Sequence, residues 1–228
     1  MLIAISQRND KNKHGDLIDN LENNYVNYYE KFGIELFVIP NSSKNLDIYF
    51  KKLPIEGIIL TGGNDVNPEI YGEKIKDGMS ITNERDNTER KLMDVAVKRK
   101  LPVLGNCRGS QFINVYFGGK LINIKEIIGE KVNHVASVHE VEIVDEKAKK
   151  LFGSKMEVNS YHNYGADKIH LSPKLKIFAK AKDGVIEGFY HSDLPVVGIN
   201  WHPERKSPNE KENEKLVKAF LNRELFWE

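Results

Sequence analysis

Leu101-Pro-Val-Leu-Gly-Asn-Cys-Arg-Gly-Ser-Gln111 decides how this chain folds. Pro102 to Gly105 has the apolar character of a buried strand. A sharp turn follows, with Cys107 at its apex, and a helix runs on from about Gly109 to Phe117. Gly105 and Gly109 stand two residues before and two after the cysteine. A strand–turn–helix elbow of this kind needs small residues at those positions, because the turn brings them against backbone. It raises its apex residue at the carboxyl end of the sheet, where open α/β folds bind ligands. The following helix N-terminus favours a negative charge on the sulfur.

The pattern repeats upstream. Leu2 to Ser6, Ile34 to Ile39 and Gly57 to Leu60 are short apolar runs read as strands. Between and after them, residues 17–32 and 88–100 carry apolar residues at helical spacing, and Gly33 stops the first of these helices. Downstream, His139 to Val144, Met156 to Ser160, Leu175 to Ala181, Val185 to Tyr190 and Val196 to Trp201 read as closely spaced strands, and a helix over 209–225 ends the pattern. Alternating strands and helices predict an α/β fold: a flavodoxin-like, open, mostly parallel sheet flanked by helices. The close strand spacing adds antiparallel strands in the C-terminal half. No repeat or linker interrupts the chain, so one domain is expected over residues 1–228. The stretch Asn64 to Asn87 lacks periodicity and is read as a long loop, a feature usually functional or disordered.

Composition narrows the function. The 228 residues carry 34 basic and 33 acidic side chains, a net charge of +1, which argues against a general nucleic-acid binder. With one cysteine no intrachain disulfide can form. No apolar run approaches the ~20 residues of a membrane span, and the apolar N-terminal run is too short for a signal-peptide core. A soluble, cytoplasmic protein with no membrane association is expected.

Val196-Val-Gly-Ile-Asn-Trp-His202-Pro-Glu204 supplies the second chemical signal. Alternate residues of an extended segment face the same way, and Pro203 biases His202 toward extended geometry. Glu204 can therefore hold the His202 imidazole, the base-and-orienter pair that nucleophilic catalysis requires. Thr61-Gly62-Gly63 ends another strand at the same edge, so the N–H groups of Gly63 and Arg108 are candidates for a two-donor oxyanion hole. His134 and His139 lie five apart, poor spacing for metal ligands on one helix or strand, and there is no second cysteine, so no metal site is expected. His14, His170 and His191 are read as surface residues.

Taken together these residues resemble the class I glutamine amidotransferase superfamily, and more narrowly the γ-glutamyl-γ-aminobutyrate hydrolase family of cysteine peptidases. The likeness spans nearly the whole chain. It rests on Leu60-Thr-Gly-Gly63, Asn67-Pro-Glu-Ile-Tyr-Gly72, Arg85-Asp86 with Glu89, Gly105-Asn-Cys-Arg-Gly109, Gln111, Asn159-Ser-Tyr-His162 and Trp201-His-Pro-Glu204. The resemblance implies Cys107 as nucleophile, His202 as base and then acid, and Glu204 as orienter. It sets Gln111 against a glutamyl group, and Ser160, Tyr161 and His162 along the same pocket. It implies a small-molecule γ-glutamyl substrate and no cofactor. Within this group the chain is similar to hydrolases that strip glutamate from a cytidine diphosphoramidate conjugate during capsule modification. Arg8, Arg85 and Arg205, all expected near the carboxyl edge, would suit such phosphates. The alternatives are a γ-glutamyl-γ-aminobutyrate-type hydrolase and a glutaminase subunit feeding ammonia to a synthase. The sequence gives no oligomeric state.

Overall fold

The computed structural model describes residues 1–129 and 131–223. Its centre is a nine-stranded sheet built from Leu2–Ile5 (β1), Glu35–Val38 (β2), Ile55–Leu60 (β3), Val103–Asn106 (β4), Ser137–Ile143 (β5), Lys155–Ser160 (β6), Leu175–Ala181 (β7), Ile186–His191 (β8) and Val196–Ile199 (β9). Their spatial order is β2-β1-β3-β4-β9-β8-β7-β5-β6. Pairing is parallel from β2 through β9 and antiparallel from β9 to the far edge. This is the mixed architecture expected from the alternation upstream and the crowded strands downstream.

Strand side chains alternate between two apolar layers. Ile3, Ile59, Leu104 and Val197 belong to one, and Ala4, Ile58, Leu60 and Val103 to the other. Both faces are covered, so the central strands are apolar throughout instead of alternating with polar residues. The helices that matter for the site are Asn23–Tyr29 (α1), Asn83–Arg99 (α2), Arg108–Tyr116 (α3) and Glu210–Asn222 (α4). Gly33 does close the first helical stretch, with φ 69°.

Three elements differ from the sequence reading. Residues 17–32 are not one helix: Leu17–Asn20 pairs antiparallel with Arg8–Lys11, and helix begins only at Asn23. Asp19 pins this hairpin by accepting from Asn9 Nδ2 at 2.8 Å and Asn41 Nδ2 at 2.7 Å, bonds that a local periodicity cannot reveal. The unpatterned stretch 64–87 contains a 3₁₀ turn at Pro68–Tyr71, capped by Asn67, and the first turn of α2. Within α2, Arg85, Asp86, Thr88 and Glu89 are buried, so its inward face is polar over those turns and shows no apolar period. His191 is buried with its ring against Phe117, not on the surface. The C-terminal helix is seen to Asn222; positions 224–225 of its expected span lie outside the described residues. Among the described residues, no helix is long and apolar enough to cross a membrane.

Candidate active site

Cys107 sits between β4 and α3 with φ 51° and ψ −110°, a conformation costly for any residue with a Cβ. Contacts on both sides enforce it. A Cβ on Gly105 would lie 2.8 Å from the Gly109 carbonyl carbon, and one on Gly109 would lie 2.1 Å from the Leu60 oxygen. The Cys107 N–H donates to Ile199 O at 2.8 Å, while its carbonyl accepts from Gln111 N–H at 3.1 Å and Ser110 Oγ at 2.7 Å. The glycine spacing thus marks a real steric requirement.

The β9 strand delivers His202 to the sulfur. Its Nδ1 lies 2.6 Å from Glu204 Oε1, and the nearby Cys107 sulfur favours its charged form. Asn159, at the end of β6, clamps the backbone: its Oδ1 accepts from the His202 N–H at 2.8 Å, and its Nδ2 donates to the His202 carbonyl at 2.8 Å. Burial opposes the imidazolium, but the Cys107 sulfur and the Glu204 carboxylate outweigh it and raise the His202 pKa to about 10. A cation held beside the sulfur is what a nucleophilic cysteine requires.

Thr61-Gly62-Gly63 passes over this pair. A Cβ on Gly62 would lie 2.8 Å from His202 Cε1 and 3.6 Å from Cys107 Cβ. The Gly62 N–H is taken by Tyr25 Oη at 2.9 Å. Gly63 adopts φ 108°, a left-handed value that glycine tolerates. The Arg108 N–H stands at the first position of α3, where no intrahelical acceptor exists.

Of the other predicted residues, some gather here and some do not. Tyr161 does: its ring meets His202 edge-on at 5.5 Å, and the Arg205 guanidinium lies over it at 4.6 Å. Arg8 also does, since its side chain crosses Gly63 and a Cβ there would strike it at 2.6 Å. Arg8 and Arg205 both approach Glu22, at 3.6 Å and 3.0 Å, and Arg8 also reaches Asp10 at 3.6 Å. Gln111 is buried on α3 and donates to Tyr164 O at 2.7 Å.

Arg85 is a correction. Far from bordering the pocket mouth, it is fully buried, donating to Thr61 O at 2.7 Å, Asn64 Oδ1 at 3.1 Å and Glu89 Oε1 at 3.0 Å. The Arg108 side chain is likewise buried, paired with Asp86 and Glu89. Ser160 and His162 make their contacts elsewhere. Ser160 Oγ donates to His134 O at 2.8 Å, and His162 points toward Glu187. Tyr25 and the clamp function of Asn159 are additions. Tyr25 gave no sequence signal, because its contact with Gly62 spans 37 residues.

Comparison with known proteins shows which family and fold the chain shares. The peptidase C26 family model matches residues 1–204. The γ-glutamyl-CDP-amidate hydrolase of Campylobacter jejuni is 32% identical over 180 residues, covering 79% of this chain and 76% of that protein. The γ-glutamyl-γ-aminobutyrate hydrolase of Escherichia coli O157:H7 is 28% identical over 226 residues, covering 91% and 87%. In fold, a glutamine amidotransferase from Thermotoga maritima matches with a TM-score of 0.61 at 18% identity, over 97% of this chain and 82% of that one.

Proposed function

The chain belongs to the peptidase C26 family and is an amide-bond hydrolase, and on that premise we propose that it cleaves γ-glutamyl amides through a glutamyl thioester on Cys107. The observation that carries this is a strained, glycine-flanked cysteine beside an imidazole that Glu204 holds at 2.6 Å. The sulfur attacks the γ-carbonyl, and the N–H groups of Gly63 and Arg108 take up the charge on its oxygen. His202 gives its proton to the departing nitrogen as the C–N bond breaks, leaving thioester and free amine. It then removes a proton from water, whose oxygen attacks the thioester. Glutamate leaves as the C–S bond breaks, and the thiolate and imidazolium are restored. Gln111 and Tyr161 bound the glutamyl end.

For the leaving group, the best-supported reading is a nucleotide diphosphate, as in a γ-glutamyl conjugate of cytidine diphosphoramidate. Its support is the pair of guanidiniums, Arg8 and Arg205, beside Gly63 and Tyr161, together with a relative of that activity at 32% identity. Glu22 lies between the two arginines and would have to yield them to a phosphate. A γ-aminobutyrate-type amide or glutamine is the alternative. A panel of γ-glutamyl amides, with and without phosphate in the amine, assayed for glutamate release decides between them. No release from any member, or release undiminished in Cys107→Ala, would defeat the hydrolase assignment itself.

A further inference from the structure

Away from Cys107, the antiparallel half of the sheet buries three imidazoles around one carboxylate. Glu187 on β8 is 1% exposed at its side chain. His134 Nδ1 lies 3.1 Å from Glu187 Oε1, His139 Nε2 3.4 Å and His162 Nε2 3.5 Å. The ligand atoms of His134, His139 and Glu187 all fall within 4.8 Å of one another. None of these close approaches has hydrogen-bond geometry: His134 Nδ1, both His139 nitrogens, His162 Nε2 and both Glu187 oxygens are buried without a hydrogen-bond partner. Unpaired buried polar atoms are costly and rare, and here they converge on one point.

Two of the imidazoles already have an acceptor on the nitrogen far from Glu187. His162 Nδ1 lies 3.0 Å from Tyr164 O, a carbonyl that can only accept, so Nδ1 carries the proton and Nε2 presents a lone pair. His134 Nε2 lies 2.9 Å from Asp183 Oδ2, so Nδ1 is the nitrogen turned to Glu187, and binding a metal there would displace its proton. A metal-bound histidine ordinarily has a carbonyl or carboxylate on its far nitrogen in this manner. Four donors at 2.0–2.1 Å from a tetrahedral Zn²⁺ stand about 3.3–3.4 Å apart. The three edges that start at Glu187 Oε1, 3.1, 3.4 and 3.5 Å, bracket that value.

We propose that His134, His139 and Glu187 hold a tetrahedral Zn²⁺ ion, with His162, 3.5 Å from Glu187 Oε1, turning in as the fourth ligand, and with Asp183 and the Tyr164 carbonyl orienting two of the ligands. Three nitrogens and one carboxylate form a donor set that zinc accepts readily. With four protein ligands the site has no open position, so its role is structural. It fastens the loop bearing His134 to β5, to β8 and to the segment after β6. That segment carries Tyr161, which packs on His202, so the site also steadies one wall of the candidate active site. The five-residue spacing of His134 and His139 is no obstacle, because the former lies in a loop and the latter in β5.

The test uses the whole protein. After chelator treatment, Zn²⁺ is titrated in competition with a chromophoric chelator; one ion per chain is expected. Glu187→Gln and His139→Ala should each weaken binding at least about 100-fold, and Asp183→Asn about 10- to 100-fold. Cys107→Ala should bind as the unaltered chain does. Circular dichroism of the variants separates lost ligands from lost fold. Co²⁺ loaded into the unaltered protein provides a readout that needs no variant: visible bands of four-coordinate cobalt without a thiolate charge-transfer band. Zinc binding abolished by Cys107→Ala, cobalt bands with thiolate character, or no binding above micromolar would overturn the proposal. The last outcome would leave a buried histidine–carboxylate cluster held by charge in its place.

Discussion

At the scale of single residues, the proposed chemistry hangs on the protonation of His202. Burial alone would make it neutral at pH 7, yet Cys107 and Glu204 raise its pKa to about 10. The imidazolium is therefore ready to donate to the leaving nitrogen across the neutral range. kcat/KM should hold through neutral pH and fall as pH rises through about 10, where the acid is lost. Glu204→Gln removes one of the two groups that stabilise the cation, so this alkaline limb should move to lower pH, and kcat should drop about 10²-fold or more. A pH–rate profile of both proteins reads the shift; an unmoved limb would mean that Glu204 does not hold the base. Cys107→Ala should release no glutamate, and intact-mass spectrometry of the unaltered chain with substrate should show a glutamyl adduct that the variant lacks.

At the scale of elements, the turns are where sequence and structure agree most closely. Gly109 tolerates only a hydrogen, since a Cβ would stand 2.1 Å from Leu60 O, a backbone atom of a central strand that cannot step aside. Gly109→Ala should therefore cost at least the ~1–3 kcal/mol typical of overpacked cores. Denaturant unfolding should show this loss, along with lower activity from a displaced Cys107. The elbow, the His202-Pro-Glu204 segment and the strand alternation were legible because each is a local pattern. What escaped was non-local. The inward face of α2 is polar where it meets Arg108, so no apolar stripe announced its first turns. The hairpin at residues 8–20 is fastened by Asp19 to a distant loop. His134, His139, His162 and Glu187 are scattered over 54 positions, and only the antiparallel half of the sheet, in which β7 joins β8 to β5, gathers them.

At the scale of the whole molecule, arginines divide into those that hold the sheet edge together and those left partly exposed beside the candidate site. Arg85 and Arg108 lie in a buried network with Asp86 and Glu89, tying α2 to the ends of β3 and β4. Removing one partner from such a network leaves an uncompensated buried charge, and the usual cost is about 3–5 kcal/mol. Arg85→Ala should lower stability by that amount and reduce activity equally on every γ-glutamyl substrate. Arg8 and Arg205 keep 36% and 25% of their side chains exposed, and their pairs with Glu22 are solvent-screened. Arg8→Ala and Arg205→Ala should leave the unfolding midpoint nearly unchanged. Against a nucleotide conjugate each should lower kcat/KM by about 10- to 100-fold, the worth of one lost charge-assisted hydrogen bond, while turnover of glutamine should change far less. Glu22→Gln gives the complementary sign: it frees both guanidiniums, so KM for a phosphorylated conjugate should fall while KM for glutamine holds. Equal losses on both substrates in the arginine variants, with no gain in Glu22→Gln, would assign this rim to the glutamyl group and return the γ-aminobutyrate-type amide to first place.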